Sequence, residues 1–197
     1  LIVSAESGLL SLREAGPTIP VAIVTGYSDV MEVLRELESK PDRFEWVCLD
    51  SISEIAETCL EQEFKRNSNK QKAYGDMADT MLRILRDFRN LKCNVVMTAK
   101  EKPMVNEETG EVLFVPNMPG RKLPNSISYL FDEVFALTVK RNKETGEVER
   151  LLQTSISPMY VAKDRSGALD FHEPPDLNHI SQKILSVLEP KGEEDVA

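Results

Sequence analysis

The chain has 197 residues, of which 41% are hydrophobic and 29% charged, and its formal net charge is −9. This size and composition are typical of one soluble α/β domain with a full central sheet. They exclude a membrane span, since no apolar run approaches the roughly 18 to 20 residues required. The acidic balance argues against a protein that simply coats nucleic acid by charge, although a local basic loop can still bind DNA.

The predicted elements begin with a short buried strand over residues 1–4 and a second strand over residues 21–25. Asp29 is predicted to cap a helix that ends near residue 39. Residues 46–50 form an apolar strand that ends in a carboxylate, and apolar residues at helical spacing follow over residues 52–64. This first third of the chain therefore alternates strands with helices.

A polar, basic interruption over residues 65–72 separates that helix from a long one predicted over residues 76–91. Another buried strand is predicted over residues 94–99. Residues 101–128 are rich in Pro, Gly and Asn, and we expect a long functional loop there, because idle connections in compact domains are shorter.

Three further strands are predicted over residues 133–139, 150–154 and 159–162, with Glu144-Thr-Gly-Glu147 as a hairpin turn between the first two. A final helix is predicted over residues 177–188. The order of elements predicts an α/β fold with a mostly parallel central sheet, flanked by helices and extended by antiparallel strands. The acidic end over residues 189–197 is predicted to be a solvated tail, with an autoinhibitory tail as the alternative.

The strand over residues 44–51 has the form of a Walker B strand. Its terminal carboxylate, Asp50, would emerge at the carboxyl edge of the sheet, where α/β folds bind ligands, and would hold Mg²⁺ against nucleotide phosphates. The alternative is that Asp50 caps the next helix, and the residues alone leave these two interpretations even. The companion phosphate loop is not found, because the chain contains no Gly-Lys dipeptide. Since Leu1 stands inside an apolar run, we expect that loop just upstream; a degenerate relative without nucleotide binding is the alternative.

The order of these motifs resembles that of RecA-like P-loop ATPases. In that family a strand ending in a glutamate follows the P-loop helix, and then come a Walker B strand with Asp-Ser, a helix and a mobile DNA-contacting loop. A long helix, a strand ending in a polar sensor and a second DNA-contacting loop complete the series. The matching pieces of this chain are Glu6, Asp50-Ser51, the basic residues 65–72, the helix over 76–91, the strand over 95–100 and residues 101–128.

The chain is more closely similar to phage proteins of the single-strand-annealing (Sak) type. The likeness covers residues 1 to about 188 and implies a RecA-like ATPase core over 1–188 that lacks its P-loop segment. It is carried by Tyr74-Gly75, Thr98-Ala-Lys-Glu-Lys102, Pro119-Gly-Arg-Lys122, Phe131-Asp-Glu-Val134 and Ala162-Lys-Asp-Arg-Ser-Gly167.

The resemblance implies a role for each acidic residue at the strand ends. Glu6 would orient or deprotonate the water that attacks the γ-phosphate of ATP. Asp50 would hold Mg²⁺, and Ser51 would support that coordination or cap the following helix.

Three cations complete the implied catalytic set. Lys100 stands where RecA carries a sensing glutamine, and it would read the γ-phosphate charge. Lys163 and Arg165 would present positive charge to the nucleotide of a neighbouring subunit. For these two residues a surface turn with a local ion pair is the alternative.

Single-stranded DNA is the implied partner, held by its phosphates without sequence readout. The two loops supply positive charge and one aromatic side chain for base stacking. The implied DNA-binding residues are Lys65, Arg66, Lys70, Lys72, Tyr74, Arg121 and Lys122.

These features together predict a DNA-dependent ATPase that uses ATP and Mg²⁺ and promotes annealing or strand exchange. The resemblance implies a homo-oligomer or filament in the cytoplasm of a bacterial host, with a single-strand-binding protein as a further partner and no membrane partner. Two alternatives remain open: a non-catalytic DNA-binding or mediator module with the same fold, and a P-loop motor or packaging ATPase of another lineage.

Overall fold

The computed structural model describes residues 1–6, 8, 10, 18–141, 143 and 145–188. These residues divide into two compact units, which comprise Leu1–Lys102 with Val115–Leu130 and Pro103–Phe114 with the chain from Phe131 onward. The predicted acidic tail over residues 189–197 and Glu144 of the predicted hairpin turn lie outside the described residues. The assignment of residues 1–188 to one ATPase core stays a prediction.

The first unit is built on a parallel four-stranded sheet, which confirms the predicted central sheet. The strands are β1 (Ile2–Ser4), β2 (Val21–Ile23), β3 (Trp46–Asp50) and β4 (Asn94–Met97). Their order among the described residues is β2-β1-β3-β4. Val3 of β1 is opposite Ala22 on one side and Leu49 on the other.

Three helices accompany this sheet: α1 (Tyr27–Ser39), α2 (Ile52–Arg66) and α3 (Lys70–Arg89). Apolar residues three and four apart give each helix one buried face. On α3 the large buried side chains are those of Met77, Met81, Ile84, Leu85 and Phe88, and Leu82 is half-buried. Cys59 of α2 is also in this core, where burial raises the pKa of its thiol to about 11.

Helix α1 begins three residues earlier than predicted. Its N-cap is Gly26, so the prediction that Asp29 is the cap was wrong. Asp29 lies in the first turn, and its carboxylate accepts hydrogen bonds from the Thr25 amide and hydroxyl, both at 2.8 Å. The helix dipole favours a carboxylate in the first turn. Asp29 is therefore favourable inside the helix, although its residue type is also typical of a cap.

The basic stretch over residues 65–72 is not a loop, contrary to the prediction. Lys65 and Arg66 end α2, and α3 already begins at Lys70, so only residues 67–69 connect the two helices. Asn69 makes this early start possible, because its side-chain oxygen accepts a hydrogen bond from the Lys72 amide at 3.2 Å as an N-cap.

The prediction of a long loop over residues 101–128 was also wrong. The segment forms a hairpin and a short helix, followed by a 3₁₀ helix: β5 (Glu101–Val105), β6 (Val112–Pro116), α4 (Lys122–Ser126) and Ile127–Leu130. Asn106 closes the turn by accepting hydrogen bonds from the Glu108 and Thr109 amides, and Gly110 has a φ of 72°. Asn106 and Gly110 therefore form a tight turn between two regular strands.

The antiparallel strands form small sheets of their own instead of extending the parallel sheet. Their bounds are β7 (Glu133–Val134), β8 (Ala136–Arg141), β9 (Val148–Gln153), β10 (Lys163–Asp164) and β11 (His172–Glu173). The predicted hairpin is confirmed as β8 and β9; β11 pairs with β9, and β7 pairs with β10. The prediction of a strand over residues 159–162 was wrong, because Tyr160 forms only an isolated bridge with Phe114.

The last helix, α5 (Leu177–Leu188), has the predicted bounds. It is apolar on one face, but it is too short to span a bilayer. Across the described parts of the chain, no helix is both long and apolar enough to cross a membrane.

Candidate functional site

The carboxyl edge of the parallel sheet brings two acidic residues together. Ser4, which ends β1, is opposite Asp50, which ends β3, and the Ala5 amide donates a hydrogen bond to the Asp50 carbonyl at 2.8 Å. Glu6 follows two residues after β1, and its Oε1 accepts a hydrogen bond from Ser51 Oγ at 2.5 Å. The predicted convergence of Glu6 with the Asp50-Ser51 pair is therefore present in the tertiary structure.

Asp50 is oriented by a hydroxyl group from the neighbouring strand end. Thr98 Oγ1 donates to Asp50 Oδ1 at 2.6 Å, and the Thr98 amide donates to the Leu49 carbonyl at 3.0 Å. The other carboxylate oxygen, Oδ2, accepts no hydrogen bond from any described residue. The Asp50–Ser51 peptide bond is cis. Thr98 thus fixes one carboxylate oxygen of Asp50.

This arrangement fits Mg²⁺ held in part by the protein. Mg²⁺ in nucleotide sites takes one or two carboxylates and completes its octahedron with phosphate oxygens and water. Asp50 offers one such oxygen, and no group of three or more His, Cys, Asp or Glu side chains occurs among the described residues. The residues present match a metal that is shared with a phosphate ligand.

Ser51 connects the helix start to Glu6. It is the N-cap of α2, and its buried Oγ accepts a hydrogen bond from the Glu54 amide at 3.4 Å while it donates to Glu6. The hydrogen bond from Ser51, followed by the nearby Lys100, holds the pKa of Glu6 below its ordinary value, although desolvation opposes the shift. Of the two implied roles of Ser51, helix capping is therefore observed, and support of a metal stays a prediction.

Lys100 reaches the same edge of the sheet from the segment after β4. Its Nζ lies 3.0 Å from Glu54 Oε2 and 3.4 Å from Glu6 Oε1. The hydrogen bond to Glu54, and the weaker one to Glu6, raise the pKa of Lys100. Glu54 was missed by sequence reasoning, although the Ser51-x-x-Glu54 spacing of a capping box already marked it as a helix-start residue.

A second candidate site is a groove in the first unit between α3 and the start of α4. Its volume is about 150 Å³, and it is lined by Tyr74, Gly75, Ala78 and residues 119–122. Gly120 has a φ of 77°, and a Cβ placed on it would stand 3.5 Å from Tyr74 Cδ1, so the turn approaches the ring closely. The ring of Tyr74 packs edge-on against Phe64 with centroids 5.6 Å apart, and 41% of the residue remains exposed. The structure therefore joins Tyr74 with Arg121 and Lys122, which are 47 residues or more apart in sequence.

Comparison with known families identifies the fold. A family model described as an AAA domain matches residues 1–166, which is most of the chain. The chain belongs to the AAA domain family. AAA domains are P-loop, ATPase-like domains that bind nucleotide, and they generally use ATP and Mg²⁺. A comparison with the curated proteins found no match.

The four cations of residues 65–72 lie on the surface of the AAA domain, outside the lining of the groove. Lys65, Lys70 and Lys72 are exposed, and Arg66 pairs with Glu63 at 3.1 Å. They lie near the α2–α3 connection instead of on a free loop. Their role in DNA binding stays a prediction.

Within the groove of the AAA domain, one of the two cations is already paired. Lys122 Nζ lies 2.7 Å from Asp79 of α3, and both side chains are exposed to solvent. An exposed pair of this kind is weak, so it can be exchanged for a phosphate.

The two remaining predicted cations lie in the second unit of the AAA domain. Lys163 donates a hydrogen bond to the Phe131 carbonyl, and burial, followed by the charge of Arg165, lowers the pKa of its ammonium group. Arg165 forms an ion pair with Asp132 at 2.7 Å. The local ion pair named as the alternative is thus present for Arg165, and action on a neighbouring subunit stays a prediction for both.

Proposed function

We propose that this AAA domain is the ATPase core of a RecA-like phage recombination protein of the single-strand-annealing (Sak) type. It binds single-stranded DNA and promotes annealing or strand exchange in an ATP-dependent reaction. The observation that carries the proposal is the hydrogen-bonded network that links Glu6, Ser51 and the Asp50 strand end at one edge of the parallel sheet.

The chemistry of this edge supports hydrolysis of a nucleotide. Asp50 would hold Mg²⁺ through its open oxygen, and the bound metal would neutralise charge on the phosphates. Glu6 Oε1 is occupied by Ser51 and Lys100, whereas Oε2 accepts no hydrogen bond from a described residue. Oε2 is therefore the atom that accepts a proton from an attacking water.

Replacement of the two acidic residues tests the proposed hydrolysis. ATP hydrolysis also needs a phosphate loop, and the chain contains no Gly-Lys dipeptide, so the assay uses the complete product of the gene. Glu6→Gln and Asp50→Asn retain side-chain size, and each is expected to lower DNA-stimulated turnover by roughly 100-fold or more. Asp42→Asn, in the exposed turn before β3, is the matched control. Normal turnover in both site variants would remove the catalytic assignment.

The groove around Tyr74 supports binding of single-stranded DNA. An exposed aromatic ring beside two cations is the combination that binds unpaired bases without reading their sequence. Tyr74 supplies the ring, and Arg121 and Lys122 supply the charge. DNA binding in this groove is consistent with the negative total charge, because only the local field acts on the strand.

A tyrosine pair gives a matched test of this groove. Tyr74→Ala is expected to weaken binding of a fluorescent oligothymidine roughly tenfold, since one stacked base contributes about 1–3 kcal/mol. Tyr129 is also exposed and does not line the groove, so Tyr129→Ala is the control. Equal affinities of the two variants in fluorescence anisotropy would place the DNA elsewhere.

Membership of the AAA domain family is also compatible with a P-loop motor of another lineage. The two activities differ in what happens to DNA strands. A recombination protein of the proposed type should accelerate pairing of complementary single strands and should not unwind duplex processively. Processive unwinding without annealing would favour the motor.

A further inference from the structure

Glu54, in the first turn of α2, is positioned for a task other than helix capping. In a capping box the glutamate carboxylate reaches back to the backbone N–H of the cap residue. Here the cap residue Ser51 accepts the Glu54 amide, but the described hydrogen-bond partner of the Glu54 carboxylate is Lys100. The side chain is therefore used to bind a lysine that is 46 residues away in sequence.

The main chain of Lys100 is fixed independently of this ion pair. Its amide donates to Ser53 Oγ at 3.0 Å, and its carbonyl accepts from the Asn117 amide at 2.6 Å. Ser53 is buried in the same first turn of α2. The start of α2 thus holds the backbone of Lys100 through Ser53 and its ammonium group through Glu54.

The ammonium group needs Glu54 to stay at the sheet edge. Half of the Lys100 side chain is exposed, and its contact with Glu6 is the longer one, at 3.4 Å against 3.0 Å for Glu54. A single exposed ion pair seldom fixes a lysine, because ordering its long side chain costs rotamer entropy. Two carboxylates on different elements restrict it to the region between them.

The edge of the sheet at which Lys100 lies carries several negative charges. Three carboxylates, those of Glu6, Asp50 and Glu54, lie at or next to the carboxyl ends of β1 and β3. They would repel an incoming phosphate unless a cation lay among them. Among the described residues, Lys100 is a cation that contacts two of the three.

We propose that Glu54 is a positioning residue, which holds the Lys100 ammonium group beside Glu6 so that this cation meets the phosphate at the sheet edge. Where it concerns the reaction, this inference rests on the proposed function. The placement of Lys100 can be tested without any nucleotide.

The nucleotide-free test measures how fast an amine-acylating reagent modifies Lys100, with mass spectrometry as the readout. In Glu54→Gln the rate at Lys100 is expected to rise roughly two- to fivefold, which corresponds to loss of one exposed ion pair. Glu57→Gln removes an exposed charge from the same helix and is the control. Lys102, whose Nζ donates to the Met118 carbonyl at 3.0 Å, is an internal reference that should keep its rate.

An unchanged rate at Lys100 in a folded Glu54→Gln chain would overturn the proposal. Circular dichroism verifies the fold, and Glu54→Asp, which keeps the charge, should return the rate toward that of the wild type. If Glu54→Gln does not fold, Glu54→Asp is compared with Glu54→Ala at equal content of folded protein. The variant that keeps the carboxylate should show the slower modification of Lys100. Faster modification in Glu54→Asp than in Glu54→Ala would contradict the assignment.

Turnover of ATP by the complete gene product tests the consequence. Glu54→Gln should lower kcat roughly tenfold with little change in KM, because the cation is needed most where charge develops on the phosphate. Faster labelling without a fall in kcat would overturn the role of Glu54 in the reaction. Absence of turnover in the wild type would instead contradict the proposed function, and the labelling result would then decide the placement alone.

Discussion

At the scale of single residues, the sheet edge depends on hydroxyl groups that orient carboxylates. Thr98 fixes one oxygen of Asp50, and Ser51 fixes one oxygen of Glu6. Precise placement of this kind matters because loss of a partner that orients a metal-binding group typically lowers metal affinity about 10- to 100-fold.

Replacement of Thr98 by valine tests the hydroxyl that orients Asp50. Valine keeps the branched shape but cannot donate to Asp50, so the carboxylate is free to rotate. In the complete gene product, Thr98→Val should raise the Mg²⁺ concentration needed for half-maximal ATP hydrolysis roughly tenfold. Thr138→Val removes a similar hydroxyl, which donates to the Leu151 carbonyl on β9, and should leave that concentration unchanged.

Ser4 is the residue at which the structure predicts a gain in stability. It is fully buried opposite Asp50, and its Oγ has no hydrogen-bond partner among the described residues. A buried hydroxyl without a partner costs about 1–3 kcal/mol. Ser4→Ala is therefore expected to raise the free energy of unfolding by about 1 kcal/mol in urea denaturation, and a loss of stability would show that the hydroxyl has a partner.

At the scale of elements, the start of α3 depends on a cap at Asn69. Asn69 accepts the Lys72 amide and so starts α3 six residues before the predicted start at residue 76. Asn69→Ala should lower the free energy of unfolding by about 1 kcal/mol, whereas Asn69→Asp should retain the wild-type value. Equal losses in both variants would indicate that the asparagine acts through its amide nitrogen.

A buried carboxylate ties α5 to β11 in the second unit. Glu173 accepts hydrogen bonds from Lys183 Nζ at 2.5 Å, the Asp170 amide at 2.8 Å and His179 Nε2 at 3.1 Å. Burial alone would raise the pKa of Glu173, but the hydrogen bonds, led by that from Lys183, outweigh it and lower the pKa. The ionised form is therefore favoured by folding.

This network predicts a loss of stability in acid. A lowered folded pKa stabilises the protein above the ordinary value near 4.5, and that contribution disappears as the pH falls through the lowered folded value. Glu173→Gln should cost about 2 kcal/mol at pH 7, with a difference that shrinks below pH 4.5. Asp170→Asn, at an exposed partner of Lys183, is the control. A difference independent of pH would exclude a role for the charge.

At the scale of the whole molecule, a net charge of −9 requires DNA binding to be local. Two cations line the groove beside Tyr74, and each neutralised phosphate of a single strand contributes a slope of about −0.7 to log Kobs against log salt. We therefore expect a slope near −1.4 in anisotropy titrations with oligothymidine. A slope steeper than about −3 would show that the surface cations of residues 65–72 also contact the strand.

Much of the first unit could be predicted from local sequence. Helical periodicity on α3 and the apolar run before Asp50 are set by neighbouring residues. The strand occurs where predicted, and the helix occurs as predicted except that it starts six residues earlier. The antiparallel hairpins share a turn segment that occurs twice in the sequence. The segment Asn-x-Glu-Thr-Gly-Glu-Val occurs at residues 106–112 and again at residues 142–148, and the first copy is the turn of the β5–β6 hairpin. This repeated turn motif therefore predicts a second hairpin, with two strands, in place of the long loop over residues 101–128.

The sequence by itself determined the strands and helices that have regular apolar spacing and which carboxylate ends β3, because burial of an apolar face depends on spacing along a few turns. Only the tertiary structure decided that Glu6, Glu54 and Lys100 meet, and that Tyr74 lies against Gly120. Each of these contacts joins residues at least 46 positions apart in the chain. Such pairs are fixed by strand register and helix packing, which no local pattern contains.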